Sequence, residues 1–215
     1  MKTLAILSRK GGAGKTTLAV HMAVIAQESG RRVLIVDCDP QKSATHWFES
    51  RAAANPELIS APAGQLATAL EAAQAEGVDL VIVDSRPSVE VDTAQIAARA
   101  DFALIPSRPA ILDLHAIGDT VEVVKLAKCP AAVVLNACPV PRGFGEAGIT
   151  TEARSVLSGY QVEVAPVSIA ARVAMSNALI DGRAVTELEP TGKASAEMVK
   201  LWKWTEKKLW PSARR

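Results

Sequence analysis

An α/β fold, with a mostly parallel, doubly wound sheet between two layers of helices, is predicted for this 215-residue chain from three observations. Apolar runs of strand length recur without polar alternation, the pattern of strands buried on both faces. Helical patterns separate them, as crossovers between parallel strands require. Polar or acidic residues follow several runs directly, and ligands of such sheets bind beyond the carboxyl ends of the strands. The length suits one domain with a full core, taken as residues 1–215, and is short for two.

The first run, Thr3 to Leu7, leads into SRKGGAGKTT. Gly11, Gly12 and Gly14 carry no Cβ, and from Lys15 onward apolar residues return at helical spacing, with Leu18, Met22, Ile25 and Ala26 as the buried face. A strand, a glycine-rich turn and a helix start, in that order, wrap a polyphosphate in backbone N–H groups. Gly11, Gly12, Ala13, Gly14, Lys15, Thr16 and Thr17 are therefore the candidate nucleotide contacts. Lys15 has the place of the lysine that reaches the β and γ phosphates, Thr16 that of the hydroxyl holding Mg²⁺, and Thr17 is free to touch the α phosphate. A strict GxxxxGK[ST] pattern would need glycine where Arg9 stands.

What stands instead, KGGxGKT with Lys10 at its head, resembles the deviant Walker A motif of the ParA/MinD family of ATPases. The resemblance implies a P-loop NTPase sheet, ATP and Mg²⁺ as ligands, and ATP hydrolysis that is slow alone and stimulated by a partner. It also implies a homodimer formed on ATP binding, in which Lys10 crosses the interface to phosphates held by the other subunit. Two lysines in one turn are thereby explained: Lys15 serves its own nucleotide and Lys10 its neighbour's.

The second run, Val33 to Val36, ends in VLIVDCDPQ. By resemblance, Asp37 and Asp39 lie near Mg²⁺, and Asp39 orients or activates the water that attacks the γ phosphate. Equally, either acid can cap a helix starting near Pro40. Alanine-rich stretches at Arg51 to Ala54 and Ala67 to Ala75 are good helix formers. The third run, Leu80 to Val83, ends in Asp84, the pattern of a Walker B carboxylate that binds Mg²⁺ directly or through water. Arg86 follows where the family has Pro-Pro or glycine-rich residues. After the run Ala103 to Ile105, the run Ala132 to Leu135 ends in Asn136, which the resemblance places on the adenine edge; a loop cap is the alternative. A weaker run spans Val162 to Val167, and Pro166 to Ser168 aligns with the family's loop beside the base.

Between Gly192 and Trp210 a helix is expected with Met198, Leu201, Trp202, Thr205 and Leu209 on one face. Lys193, Lys200, Lys203, Lys207 and Lys208 spread over the rest, while Trp204 fits neither set. The lysines admit a solvated surface, a sequence-independent contact with DNA phosphates, or a membrane-surface helix of the MinD kind. Resemblance to the short ParA-type plasmid partition ATPases covers nearly the whole chain, through DPQKSATHW, IAARVAMSNALIDGRAV and GKASAEMVKLW. It favours DNA and adds Arg172 to Lys193, Lys200, Lys203 and Lys207 as contacts. The implied function is an ATP-driven positioning or partition switch for a plasmid, chromosome region or other cargo, with a centromere-binding or cargo adaptor of the ParB/ParG kind as partner. Only nine residues precede Lys10, so no DNA-reading helix-turn-helix domain is expected before the loop.

Composition bounds the remaining classes. Hydrophobic residues make up 49%, yet no run approaches the ~20 apolar residues of a membrane span, so a cytoplasmic protein without stable membrane attachment is expected, and the resemblance implies that it is nucleoid-associated. A formal net charge of +1 requires any nucleic-acid contact to come from local clustering of basic residues. Cys38, Cys129 and Cys138 lack the spacing of a zinc site or a disulfide framework and read as buried thiols. A single tyrosine, Tyr160, speaks against a bacterial tyrosine kinase.

Overall fold

The computed structural model describes residues 1–87, 90–141 and 145–211. Seven parallel strands form one sheet: β1 (Lys2–Ile6), β2 (Val33–Asp37), β3 (Glu57–Ser60), β4 (Leu80–Asp84), β5 (Phe102–Ser107), β6 (Ala131–Leu135) and β7 (Glu163–Val164). Their spatial order is β3-β2-β4-β1-β5-β6-β7. The helices are α1 (Lys15–Glu28), α2 (Ser43–Glu49), α3 (Leu66–Ala75), α4 (Glu90–Ala97), α5 (Ile111–Leu126), α6 (Gly148–Ser158), α7 (Val173–Ile180), α8 (Val185–Leu188) and α9 (Lys193–Leu209).

The chain winds to one side of β1 for β2 to β4 and to the other for β5 to β7, so β1 ends at the crevice where the strand order reverses. Ligands of open α/β sheets bind there. Alternate strand residues feed two separate cores. Leu4, Ile6, Ile35, Leu80 and Ile82 pack with α1, α2, α7, α8 and α9, whereas Ala5, Val36, Val81, Val83 and Ile105 pack with α3 to α6. Burial on both faces is why the strands read as continuous apolar runs. The sheet is parallel throughout its pairings, in agreement with the expected doubly wound class.

Helix α1 is buried nearly all round, Leu18 to Ala26 included, because α7, α8 and α9 cover the side that faces away from the sheet. At its centre the imidazole of His21 is wholly enclosed. Val185 N–H donates to Nδ1 at 3.1 Å, so Nε2 carries the proton and donates to the Met175 carbonyl at 3.2 Å. One side chain thus ties α1 to α7 and α8.

One strand was not expected, and two expectations change. Strand β3, an edge strand reading ELIS with both outer residues exposed, has no two-sided apolar run to announce it. Arg51 to Ala54 are not helical. Helix α2 stops at Glu49 because the Arg51 guanidinium is drawn into the fold, paired with both Glu187 oxygens at 2.7 and 2.8 Å and with the Gly182 carbonyl. The run from Val162 contracts to two strand residues. Trp204 finds a structural role: it meets Phe102 edge to face at 6.0 Å, and the Lys208 ammonium lies over its ring at 5.2 Å. All three cysteines are buried and free, and burial raises the Cys38 thiol to about 12 and the other two to about 11.

Candidate nucleotide site

The loop from Ser8 to Gly14 leaves the end of β1 and turns into α1. Gly12 and Gly14 adopt φ values of +69° and +92°, which only glycine accommodates without strain. A side chain at Gly14 would also collide with the Asn136 amide. With no side-chain cap at the start of α1, the backbone N–H groups of its first turn are left for a ligand.

Beside this turn is a cavity of about 720 Å³ lined by Gly11, Gly12, Gly14, Lys15, Thr16, Thr17 and Asp39. Lys15 is buried, its Nζ 3.5 Å from the Lys10 carbonyl at the limit of hydrogen bonding. Burial lowers its pKa, and the charges of Asp84 and Asp39 oppose that shift. Ala13 is buried under the loop, and its carbonyl accepts a hydrogen bond from Asn136 Nδ2 at 2.8 Å.

The register sets Asp37 directly opposite Asp84 on neighbouring strands. Their environments diverge. Asp37 is engaged through both oxygens: Oδ1 accepts from Asp39 N at 3.1 Å, and Oδ2 accepts from the backbone N–H and hydroxyl of Thr45 at 3.0 and 2.8 Å. These bonds secure the start of α2 and leave one acceptor site, on Oδ1, for the metal role expected of Asp37. Asp84, wholly buried, has neither oxygen in a hydrogen bond of ordinary geometry. Burial raises its pKa to about 7, a rise that the nearby Thr16 hydroxyl and Lys15 charge reduce only in part. An unpaired buried carboxylate is costly in isolation. It fits a cation bound between Asp84, Thr16 and a polyphosphate. Among the described residues no group of three or more His, Cys, Asp or Glu is placed to hold a metal ion by itself.

Asp39 Oδ1 accepts from Gln41 N at 2.9 Å, closing a turn before α2 rather than capping the helix, and its side chain borders the cavity. Lys10 stands outside the cavity, paired with Asp113 at 3.0 Å. Asn136 and the exposed Pro166 do not line it. Arg172 is occupied by Glu197 at 2.7 Å, whose other oxygen accepts from Ala170 N, so this arginine is committed to fixing the entry into α7. Lys193, Lys200, Lys203 and Lys207 are exposed and form no ion pair among the described residues.

Residues 4–185 match the model of the CobQ/CobB/MinD/ParA nucleotide binding domain. The chain belongs to this family. Maintenance of carboxysome distribution protein A of Halothiobacillus neapolitanus is 32% identical over 206 residues, covering 92% of each chain. The chromosome-partitioning ATPase Soj of Thermus thermophilus is 30% identical over 168 residues, covering 63% of this chain and 68% of its own. Among solved structures, apo McdA of Cyanothece superposes with a TM-score of 0.76 at 21% identity, over 97% of this chain and 99% of that one. The MinC:MinD complex of Aquifex aeolicus gives 0.77 at 16%, over 100% and 99%. Both likenesses are of fold.

As a ParA/MinD-family ATPase the chain has site residues that its motifs did not announce. Gln41, Ser43, His46, Trp47 and Ser50 of the β2–α2 region border the cavity, with Leu179 from α7. Gln41, Ser43, His46 and Trp47 lie within DPQKSATHW and Leu179 within IAARVAMSNALIDGRAV, stretches that carry the resemblance but were given no role at the site. Arg86, where the family's pattern differs, pairs with Asp92 of α4 at 2.5 Å and is thereby turned to the neighbouring helix.

Proposed function

We propose that this family member is an ATP-dependent dimer switch that positions a large cargo by binding DNA without regard to sequence. ATP and Mg²⁺ are its cofactors. The observation that carries the reading is that Lys15, Thr16 and Asp39 line one cavity at the glycine loop, with the bare Asp84 carboxylate buried close to Thr16 and Lys15. In it, Lys15 and the loop hold the phosphates, Thr16 and Asp84 hold Mg²⁺, and Asp39 orients the attacking water. Lys10 reaches the phosphates of a second copy. Asn136 supports the loop through Ala13 in the present arrangement, and with Pro166 borders the base.

Lys193, Lys200, Lys203 and Lys207 recur at spacings of seven, three and four, which sets all four within one stripe of α9. Two copies joined by ATP would offer two stripes to DNA. The membrane alternative fits less well: Trp202 is buried and Trp204 is packed on Phe102, so α9 has no apolar face left to insert. Relatives named for carboxysome distribution favour a cargo of that kind over a plasmid. Sedimentation with plasmid DNA and with anionic liposomes, each with ATP and with ADP, tests the reading. Binding to DNA with ATP alone is expected; binding to liposomes alone would replace DNA with a membrane.

A further inference from the structure

Among the described residues three cations stand in or beside the glycine loop in addition to Lys15, and two are already neutralised. Arg9 pairs with Asp119 at 3.2 Å and Lys10 with Asp113 at 3.0 Å, both acids on α5. The third is Arg108, in the turn between β5 and α5. Its side chain is exposed, and its guanidinium makes no hydrogen bond or ion pair among the described residues. It does not line the cavity, but it stands beside the loop: a Cβ placed on Gly12 would lie 3.5 Å from Arg108 Nη2. Gly12 lines the cavity two residues before Gly14, in the part of the loop that carries N–H groups toward a polyphosphate.

Position and chemistry combine here. The turn that carries Arg108 is rigid on both sides, because Ser107 ends a strand whose backbone N–H and carbonyl groups pair with its neighbours, and Pro109 follows it buried. A planar, permanently charged fork with no protein partner, standing over the glycine of a phosphate loop, matches phosphate oxygens in geometry and charge. We infer that Arg108 is an additional catalytic residue, a built-in arginine that donates to the phosphate oxygens of the nucleotide held by its own loop as the γ phosphoryl group departs. In that step water attacks the γ phosphorus, the bond to the β–γ bridging oxygen breaks, and ADP leaves with the bonding electron pair. Inorganic phosphate and a proton complete the balance. Negative charge grows on the β phosphate side, and a guanidinium donating there lowers its cost.

The inference rests on the ATPase reading above, and the test separates the two. Arg108→Ala and Arg108→Gln remove the charge from an exposed, unpaired side chain, so melting temperatures should stay at the wild-type value. Single-turnover hydrolysis should fall about 100-fold in both, with ATP affinity changed less than about threefold, because the contact strengthens only toward the transition state. Both variants should also fail to trap ADP with aluminium fluoride while binding ADP normally. Hydrolysis within about threefold of wild type, or ATP affinity falling in parallel with turnover, would overturn the catalytic role. Wild-type protein that binds no ATP would instead defeat the reading on which it rests.

Discussion

Lys10 Nζ lies 3.0 Å from the carboxylate of Asp113 in the first turn of α5, with Asp113 largely enclosed and the lysine half exposed. The lysine assigned to a second subunit is thus held by its own. Reaching across a dimer interface must break this pair, whose worth at such exposure is about 1 kcal/mol or less. Asp113→Asn should therefore tighten the ATP-bound dimer by roughly two- to fivefold, whereas Lys10→Ala should bind ATP and remain monomeric. Sedimentation velocity with a non-hydrolysable ATP analogue reads both; dimerisation of Lys10→Ala at wild-type strength would remove the cross-subunit role.

Lys15→Ala should weaken ATP binding by about 100-fold or more, since a buried ammonium and its charge-assisted contacts are lost together. Asp39→Ala should bind ATP normally and form the dimer, yet hydrolyse at least about tenfold more slowly, because only the water loses its orientation. Calorimetry and phosphate release distinguish the two outcomes. Undiminished turnover in Asp39→Ala would return that acid to its turn with Gln41.

Asp84 sets stability against ligand binding. Its folded pKa of about 7 lies above the unfolded value of 3.8, so the folded state holds the proton more tightly and its charged form is penalised as pH rises through this window. Asp84→Asn should raise the melting temperature of the Mg²⁺-free protein by roughly 5 °C or more at pH 8, and by little at pH 4, while Mg²⁺–ATP affinity falls. Equal melting temperatures at pH 8 would show that this carboxylate is not an uncompensated charge.

His21 acts in the opposite sense on the acid side. Enclosure lowers its pKa to about 4 from 6.5, so the unfolded state takes up the proton first as pH falls. Its stabilisation is complete above pH 6.5 and is lost as pH drops toward 4, by roughly 3 kcal/mol over the window. His21→Gln should be less stable than wild type at pH 8 and show a shallower loss between pH 6.5 and 4. Parallel profiles from urea titrations would rule out this imidazole as the titrating group.

The basic stripe of α9 predicts a separation of functions. Lys200, Lys203 and Lys207 all changed to Glu should leave ATP binding and dimerisation intact and abolish the DNA gel shift. In the wild type the logarithm of affinity should fall with the logarithm of salt at a slope near −0.9 per phosphate contact. Wild-type DNA binding by the triple variant would make these lysines a solvated surface.

The sequence by itself determined the winding of the sheet and the loop at its centre, because strands buried on both faces must be apolar throughout and a turn with positive φ needs glycine at Gly12 and Gly14. It also determined which helix face of α9 is buried, since Met198, Leu201, Trp202, Thr205 and Leu209 recur at helical spacing. Strand β3 was not legible, because an edge strand needs no continuous apolar run. Tertiary structure alone separated the two acids that the local pattern treats alike: Asp37 spends its oxygens on Thr45 and Asp39, while Asp84, opposite it in register, is left bare. Only the fold could also join Lys10 to Asp113 and Arg51 to Glu187 and bring Arg108 beside Gly12, since spatial neighbours depend on distance in space and leave no periodic mark along the chain.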